Sequence, residues 1–131
     1  MVSREDIEDF LIRMDLDYEE VDEGMFLTRV EAGGAPVVVH YADALLLIRM
    51  KVMDMPAEDS PKLFRKLLEL NSSEIVHGAY GIENGDLILS DTLELETLGF
   101  YGLQASMESL TLAAASHMEQ IRTLANQGLE D

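Results

Sequence analysis

Lys66–Leu95 reads KLLELNSSEIVHGAYGIENGDLILSDTLEL, and this stretch carries the strongest turn signal in the chain. Asn84-Gly85 stands between the apolar residues Ile82 and Leu87. A two-residue loop of this kind needs φ > 0 at both central positions, which Asn and Gly tolerate best, so a type I′ hairpin is expected. The strands should run from about Ile75 to Ile82 and from Leu87 to Leu93. Gly78 and Gly81 fall inside the first of them, where they point to a bulge or a close backbone approach. No residue of the stretch has a chemical signature.

Upstream, Pro61 suits the first position of a helix capped by Asp59 or Ser60. Leu63, Phe64, Leu67, Leu68 and Leu70 supply its apolar face, with Lys62, Arg65 and Lys66 opposite, and Asn71 marks its end. Downstream, Thr97 can cap a last helix reaching about Asn126, with Gly128 after its end. Leu103, Met107, Leu110, Ala114, His117, Ile121 and Leu124 alternate in steps of four and three as its buried seam. Gly99 and Gly102 lie in the first turns and pull the start later.

The N-terminal half fits the same scheme. Ser3 and Asp6 form a capping-box pattern, and Ile7, Phe10, Leu11 and Met14 recur with helical spacing over Arg4 to Met14. Tyr18–Val21 and Met25–Val30 read as strands around the Asp22-Glu23-Gly24 turn. Gly33-Gly34 breaks the chain, and Pro36 opens a β-branched strand, Val37–Tyr41. Ala42–Ala44 turns into the strand Leu45–Met53. There Leu46, Ile48, Met50 and Val52 share a uniformly apolar face, and Leu45, Leu47, Arg49, Lys51 and Met53 share the other. The order α-β(3–4)-α-ββ-α defines an α+β fold with a largely antiparallel sheet flanked by helices, in one domain over residues 1–131.

At 131 residues and 47% apolar, the chain has enough material for a real core. Nine basic against 26 acidic residues give 9 − 26 = −17, a charge that repels phosphate backbones and anionic membrane surfaces. No nucleic-acid and no membrane partner is expected. A surface this acidic serves solubility or attracts basic or aggregation-prone partners. There is no cysteine, which excludes disulfides, thiolate nucleophiles and cysteine-rich zinc sites. The N-terminus lacks the apolar core of a signal peptide, and no apolar run approaches the roughly 20 residues of a membrane span, so a cytoplasmic location is expected. The Asn71-Ser72-Ser73 sequon is then a chance match.

Chemistry finds little to stand on. His40 lies in a strand opposite the face of Val37, Val39 and Tyr41, His77 begins a strand, and His117 falls in the helix seam. They have no metal-ligand spacing, and the His-x-Glu at His117–Glu119 lacks the cysteines a zinc deaminase needs. Asp15, Asp17 and Glu19 alternate like a calcium loop, but its sixth position is Glu20, where glycine is required. Phosphate-binding and nucleophile-elbow motifs are absent, and no cofactor is implied. The alternative to a binding protein is a small-ligand binder or enzyme that uses His40 or His77 with nearby carboxylates. Methionines cluster at Met50, Met53 and Met55, and methionine suits adaptable peptide-binding surfaces. Leu45, Leu47 and Met53 are the candidate partner-binding patch.

The run Leu67–Asn71, the strand carrying His77-Gly78-Ala79-Tyr80 and the Asn-Gly hairpin resemble the YbjN family, named for bacterial sensory transduction regulation. That family is similar in fold to type III secretion chaperones of the Tir-chaperone kind. The element order, length, acidity and long last helix agree with it. The resemblance implies a small non-enzymatic protein, often a homodimer, that holds a segment of another polypeptide on apolar patches of its sheet; the helix that begins at Pro61 is the candidate contributor to a dimer. It brings no catalytic residues.

Overall fold

The computed structural model describes residues 1–30, 34–58 and 60–130, without the side chains of 128–130. Helix α1 spans Arg4–Arg13. Its capping box is formed: the Ser3 hydroxyl accepts from the Asp6 N–H at 3.2 Å, and the Asp6 carboxylate accepts from the Ser3 N–H at 2.9 Å. Four strands follow, β1 Asp17–Asp22, β2 Met25–Arg29, β3 Val37–Ala42 and β4 Leu45–Asp54, then α2 Pro61–Ser73, the hairpin β5 Ala79–Glu83 and β6 Asp86–Glu94, and α3 Phe100–Glu130. The six strands form one antiparallel sheet in the order β1-β2-β3-β4-β6-β5. The expected α+β class and element order hold, with four strands ahead of α2. The hairpin turn has both central residues at positive φ, Asn84 at 51° and Gly85 at 81°, as a type I′ loop requires.

Alternate residues on each strand face a single core. Phe26, Val37, Val39, Leu46, Ile48, Leu87 and Leu89 are fully buried against Ile7 and Leu11 of α1, Leu63 of α2, and Leu103 and Leu110 of α3. The helices therefore share one side of the sheet. Thr28, the polar residue in that layer, is satisfied by donating to the Val37 carbonyl at 2.8 Å. The α3 seam is buried at Leu103, Met107, Leu110, Ala114, His117 and Ile121 and partly at Leu124. Among the described residues no helix is long and apolar enough to cross a membrane.

Several boundaries differ from expectation. The last helix starts at Phe100, beyond Thr97, and passes through Gly128 to Glu130. The first hairpin strand begins at Ala79, because Gly78 at φ +90° turns the chain out of line. Helix α2 ends at Ser73, and its Ser60 cap makes no side-chain hydrogen bond; Asp59 and Gly33 lie outside the described residues. Leu68 is 69% exposed. Leu63, Leu67 and Leu70 already close the buried stripe at i, i+4 and i+7, and Leu68 falls beyond it.

The edge strand β1 is tied to α1 by an ion pair. Arg4 Nε donates to Glu20 at 2.8 Å, its second nitrogen also reaches that carboxylate, and the Gly24 N–H donates to Glu20 at 2.9 Å. The Arg4 hydrogen bond, followed by the Gly24 N–H, holds the Glu20 carboxyl down at about 2, against its ordinary 4.5. A carboxylate depressed in the folded state stabilises above its unfolded value and stops doing so as pH falls through the folded one. The gap in urea midpoint between wild type and Glu20→Gln is thus expected to be full at neutral pH and to close between pH 4.5 and 2. A gap that stayed constant through that window would show the pair to be inert.

Candidate functional site

With three helices on one side, the other side of the sheet carries no helix among the described residues. Cross-strand register lays out its rows. Met25 pairs with His40, His40 with Leu47, and Leu47 with Thr92; next to this row, Leu27 pairs with Val38, Val38 with Arg49, and Arg49 with Ser90. Directly opposed residues on antiparallel strands point to the same face. Met25, Leu27, Val38 and Leu47, with His40 among them, therefore form an outward apolar strip across β2, β3 and β4. These side chains are partly exposed, and Leu45 at the strip's end is 39% exposed.

The strip has a polar border toward β5 and β6. Arg49 Nη1 donates to both oxygens of Glu83 at 2.7 Å, and Lys51 Nζ reaches Asp54 at 2.7 Å and Asp86 at 3.3 Å. The hydrogen bond to Asp54, then that to Asp86, raises the Lys51 ammonium above its ordinary value, and Lys51 in turn lowers Asp54. These pairs are solvent-exposed and add little stability. They do commit the border charges to one another.

The expected patch of Leu45, Leu47 and Met53 is only partly brought together. Leu45 and Leu47 share the outward face. Met53 does not, because the β4–β6 register slips between Lys51 and Met53, so that Lys51 opposes Ile88 and Met53 opposes Leu87. One extra residue in a strand moves all later side chains to the other face. Leu87 is fully buried, and Met53 packs with it at the margin of the core. Met25, Leu27 and Val38 take the place Met53 was expected to fill. Their role was hidden because Met25-Phe26-Leu27 is apolar at both parities, and alternation cannot tell which parity faces in.

Of the two candidate histidines, His40 sits in the strip with no carboxylate beside it. His77 is exposed in the bend before β5 and lines a groove of about 460 Å³ with Glu74, Glu108, Ser109 and His117. Ser109 engages only the His77 backbone, accepting from its N–H at 3.1 Å and donating to its carbonyl at 3.2 Å. No histidine–carboxylate hydrogen bond and no metal-ligating cluster occurs among the described residues. The third histidine has a structural partner: His117, 5% exposed, meets the Tyr80 hydroxyl at 2.9 Å, and burial pushes that phenol up to about 12.

A second surface lies where α2 meets the edge strand β5. Leu68 and Ile82, 69% and 54% exposed, flank a groove of about 210 Å³ that also involves Phe64, Leu67 and Tyr80. The Asn71 side chain closes part of this edge, accepting from the Tyr80 N–H at 2.7 Å and donating to its carbonyl at 3.2 Å. A carboxamide thus takes the place of one residue of a neighbouring strand and satisfies part of the sheet edge.

A one-sided, six-stranded antiparallel sheet with this element order corresponds to one family model, which matches residues 2–127. The chain belongs to the CesT_Tir_1 family. Comparison with curated proteins gives no match. Among solved structures, a chain of the heterodimeric ExoU–SpcU complex from the type III secretion system of Pseudomonas aeruginosa superposes with a TM-score of 0.70 at 16% identity, covering 92% of this chain and 98% of that one. YbjN from E. coli gives 0.68 at 11% identity, covering 90% and 92%. The Yersinia pestis type III secretion chaperone SycH, in complex with a stable fragment of YscM2, gives 0.61 at 16% identity, covering 83% and 93%. The resemblance to YbjN and to Tir-type chaperones read from the hairpin region is therefore correct at the level of the CesT_Tir_1 fold.

Proposed function

We propose that this protein is a non-enzymatic binding module that holds a segment of another polypeptide on the open face of its sheet. The observation that carries the reading is the strip Met25, Leu27, Val38, Leu47 and Leu45, an apolar surface over which no helix packs among the described residues. Contiguous exposed apolar surface on a soluble domain marks an interaction site. Membership of the CesT_Tir_1 family supports a polypeptide as the occupant, since structures of the same fold hold chaperones together with polypeptide partners. Affinity capture from the native cell tests it. The same polypeptide is expected to co-purify reproducibly with the wild type and to be lost with Leu47→Asp. A partner retained by that variant would move the site elsewhere.

The module acts as a homodimer joined through α2. Two chains of charge −17 repel, so a symmetric contact favours the least acidic surface. α2 carries Lys62, Arg65 and Lys66 against Glu69, a net 3 − 1 = +2, together with the exposed Leu68. Light scattering is expected to show a dimer for the wild type and a monomer for Leu68→Glu. A wild type that stayed monomeric over a broad concentration range would exclude the dimer.

A further inference from the structure

We infer that His40 makes the open sheet face pH-responsive: the strip holds an uncharged apolar segment when His40 is neutral and releases it when the ring is protonated. This rests on the strip being the binding site. His40 lies at its centre, with Met25 directly opposite on one side and Leu47 on the other. Val38 and Ala42 are its same-face neighbours along β3, and Leu27, Leu45 and Arg49 are the diagonal ones. Among the described residues the one charge in that shell is the Arg49 guanidinium, which is held by Glu83. The nearest same-face carboxylates, Asp22 beside Met25, Glu19 beside Leu27 and Glu94 beside Leu45, are two strands away from His40, about 10 Å or more at the usual strand spacing. Glu23 and Asp43 sit in the turns at the strand ends.

Charge complementarity chooses the occupant. At neutral pH the apolar side chains of the strip carry no charge and Arg49 is held by Glu83, while the margins are acidic: Lys51 serves both Asp54 and Asp86, Asp22 and Glu19 flank Met25 and Leu27, and Glu94 flanks Leu45. An apolar segment seated on the strip leaves these marginal carboxylates in water, whereas an acidic one meets them and the field of a chain at −17. Docking covers the His40 ring and removes it from water. A neutral imidazole tolerates that, but an imidazolium with no adjacent carboxylate does not. Histidine is the side chain whose charge changes between about pH 5 and 8, so by linkage the proton and the segment compete.

The test uses Nile red, an uncharged apolar dye, titrated at about pH 7.5 and about pH 5.5. The site's contribution is the part of the fluorescence that Leu47→Asp removes. For the wild type this affinity is expected to fall on the order of tenfold at the lower pH. In His40→Gln it should stay strong at both, and in His40→Lys weak at both. A Leu47-dependent signal that is flat with pH in the wild type, or that falls equally in His40→Gln, overturns the role of His40 and leaves the sheet-face site standing. Dye binding indifferent to Leu47→Asp overturns the site and the switch together.

Discussion

Gly78→Ala is expected to destabilise the fold by about 3 kcal/mol or more. Gly78 adopts φ +90°, which L side chains rarely enter, and a Cβ there would stand 2.6 Å from the Ser90 carbonyl oxygen and 2.6 Å from Leu110 Cδ2. The leucine end can swing aside, but Ser90 belongs to β6, which is paired on both sides by β4 and β5, and its carbonyl cannot move without disturbing two ladders. Backbone strain and overpacking therefore add. Gly81 is the control three residues on. It has ordinary backbone geometry, and the nearest atom to its added Cβ is Ile88 Cγ1 at 3.9 Å. Gly81→Ala is expected to lie within about 1 kcal/mol of wild type, because a tighter unfolded chain offsets any small loss. Urea unfolding followed by circular dichroism reads both. With domain stabilities of roughly 5–15 kcal/mol, the Gly78 variant should lose a large part of its midpoint. Equal midpoints for the two variants would mean that the close approach to Ser90 is not a constraint.

The same two glycines show how far the sequence reading reaches. Glycine inside a strand signals a bulge or a close approach without saying which, and nothing local distinguishes Gly78 from Gly81. The difference is made by Ser90 and Leu110, which are distant in sequence. The Asn84-Gly85 turn was legible because it needs no such partner: its constraint lies in its own φ angles. Helix α1, with Ser3, Asp6 and its periodic apolar residues, was legible for the same reason. The candidate site divides along this line. Leu45 and Leu47 could be assigned to the outward face because Arg49 and Lys51 share their parity. Met53 could not, because the slip after Lys51 depends on how β4 pairs with β6. Met25, Leu27 and Val38 are apolar neighbours of apolar core residues, so only the register of the finished sheet shows which way they point. The Asn71–Tyr80 clamp was hidden likewise: an asparagine at a helix end reads as a stop signal, and its second role appears once β5 is beside it.

Neighbouring residues of β4 provide the sharpest separation of folding from function. Ile48 is fully buried, between Val39 and Asp91 on the helix side, while Leu47 lies partly exposed between His40 and Thr92 on the other. Ile48→Ala removes three carbons from a packed core and is expected to cost about 2–5 kcal/mol, depending on how far the surroundings collapse. Leu47→Ala changes a face that no helix covers among the described residues and should cost below about 1 kcal/mol. Function is expected to sort the other way. Leu47→Asp should fold with nearly the wild-type urea midpoint and lose its polypeptide partner, whereas folded Ile48→Ala, assayed well below its midpoint, should keep it. The strand's period of two makes this contrast hard to imitate: a general loss of structure would lower both properties for both residues. If Leu47→Ala proved as destabilising as Ile48→Ala, the outward face would be packed against something within the protein itself, and the strip could not serve as a free surface. Equal and small costs would place Ile48 outside the core and reverse the assignment of faces for the whole of β4 before its bulge.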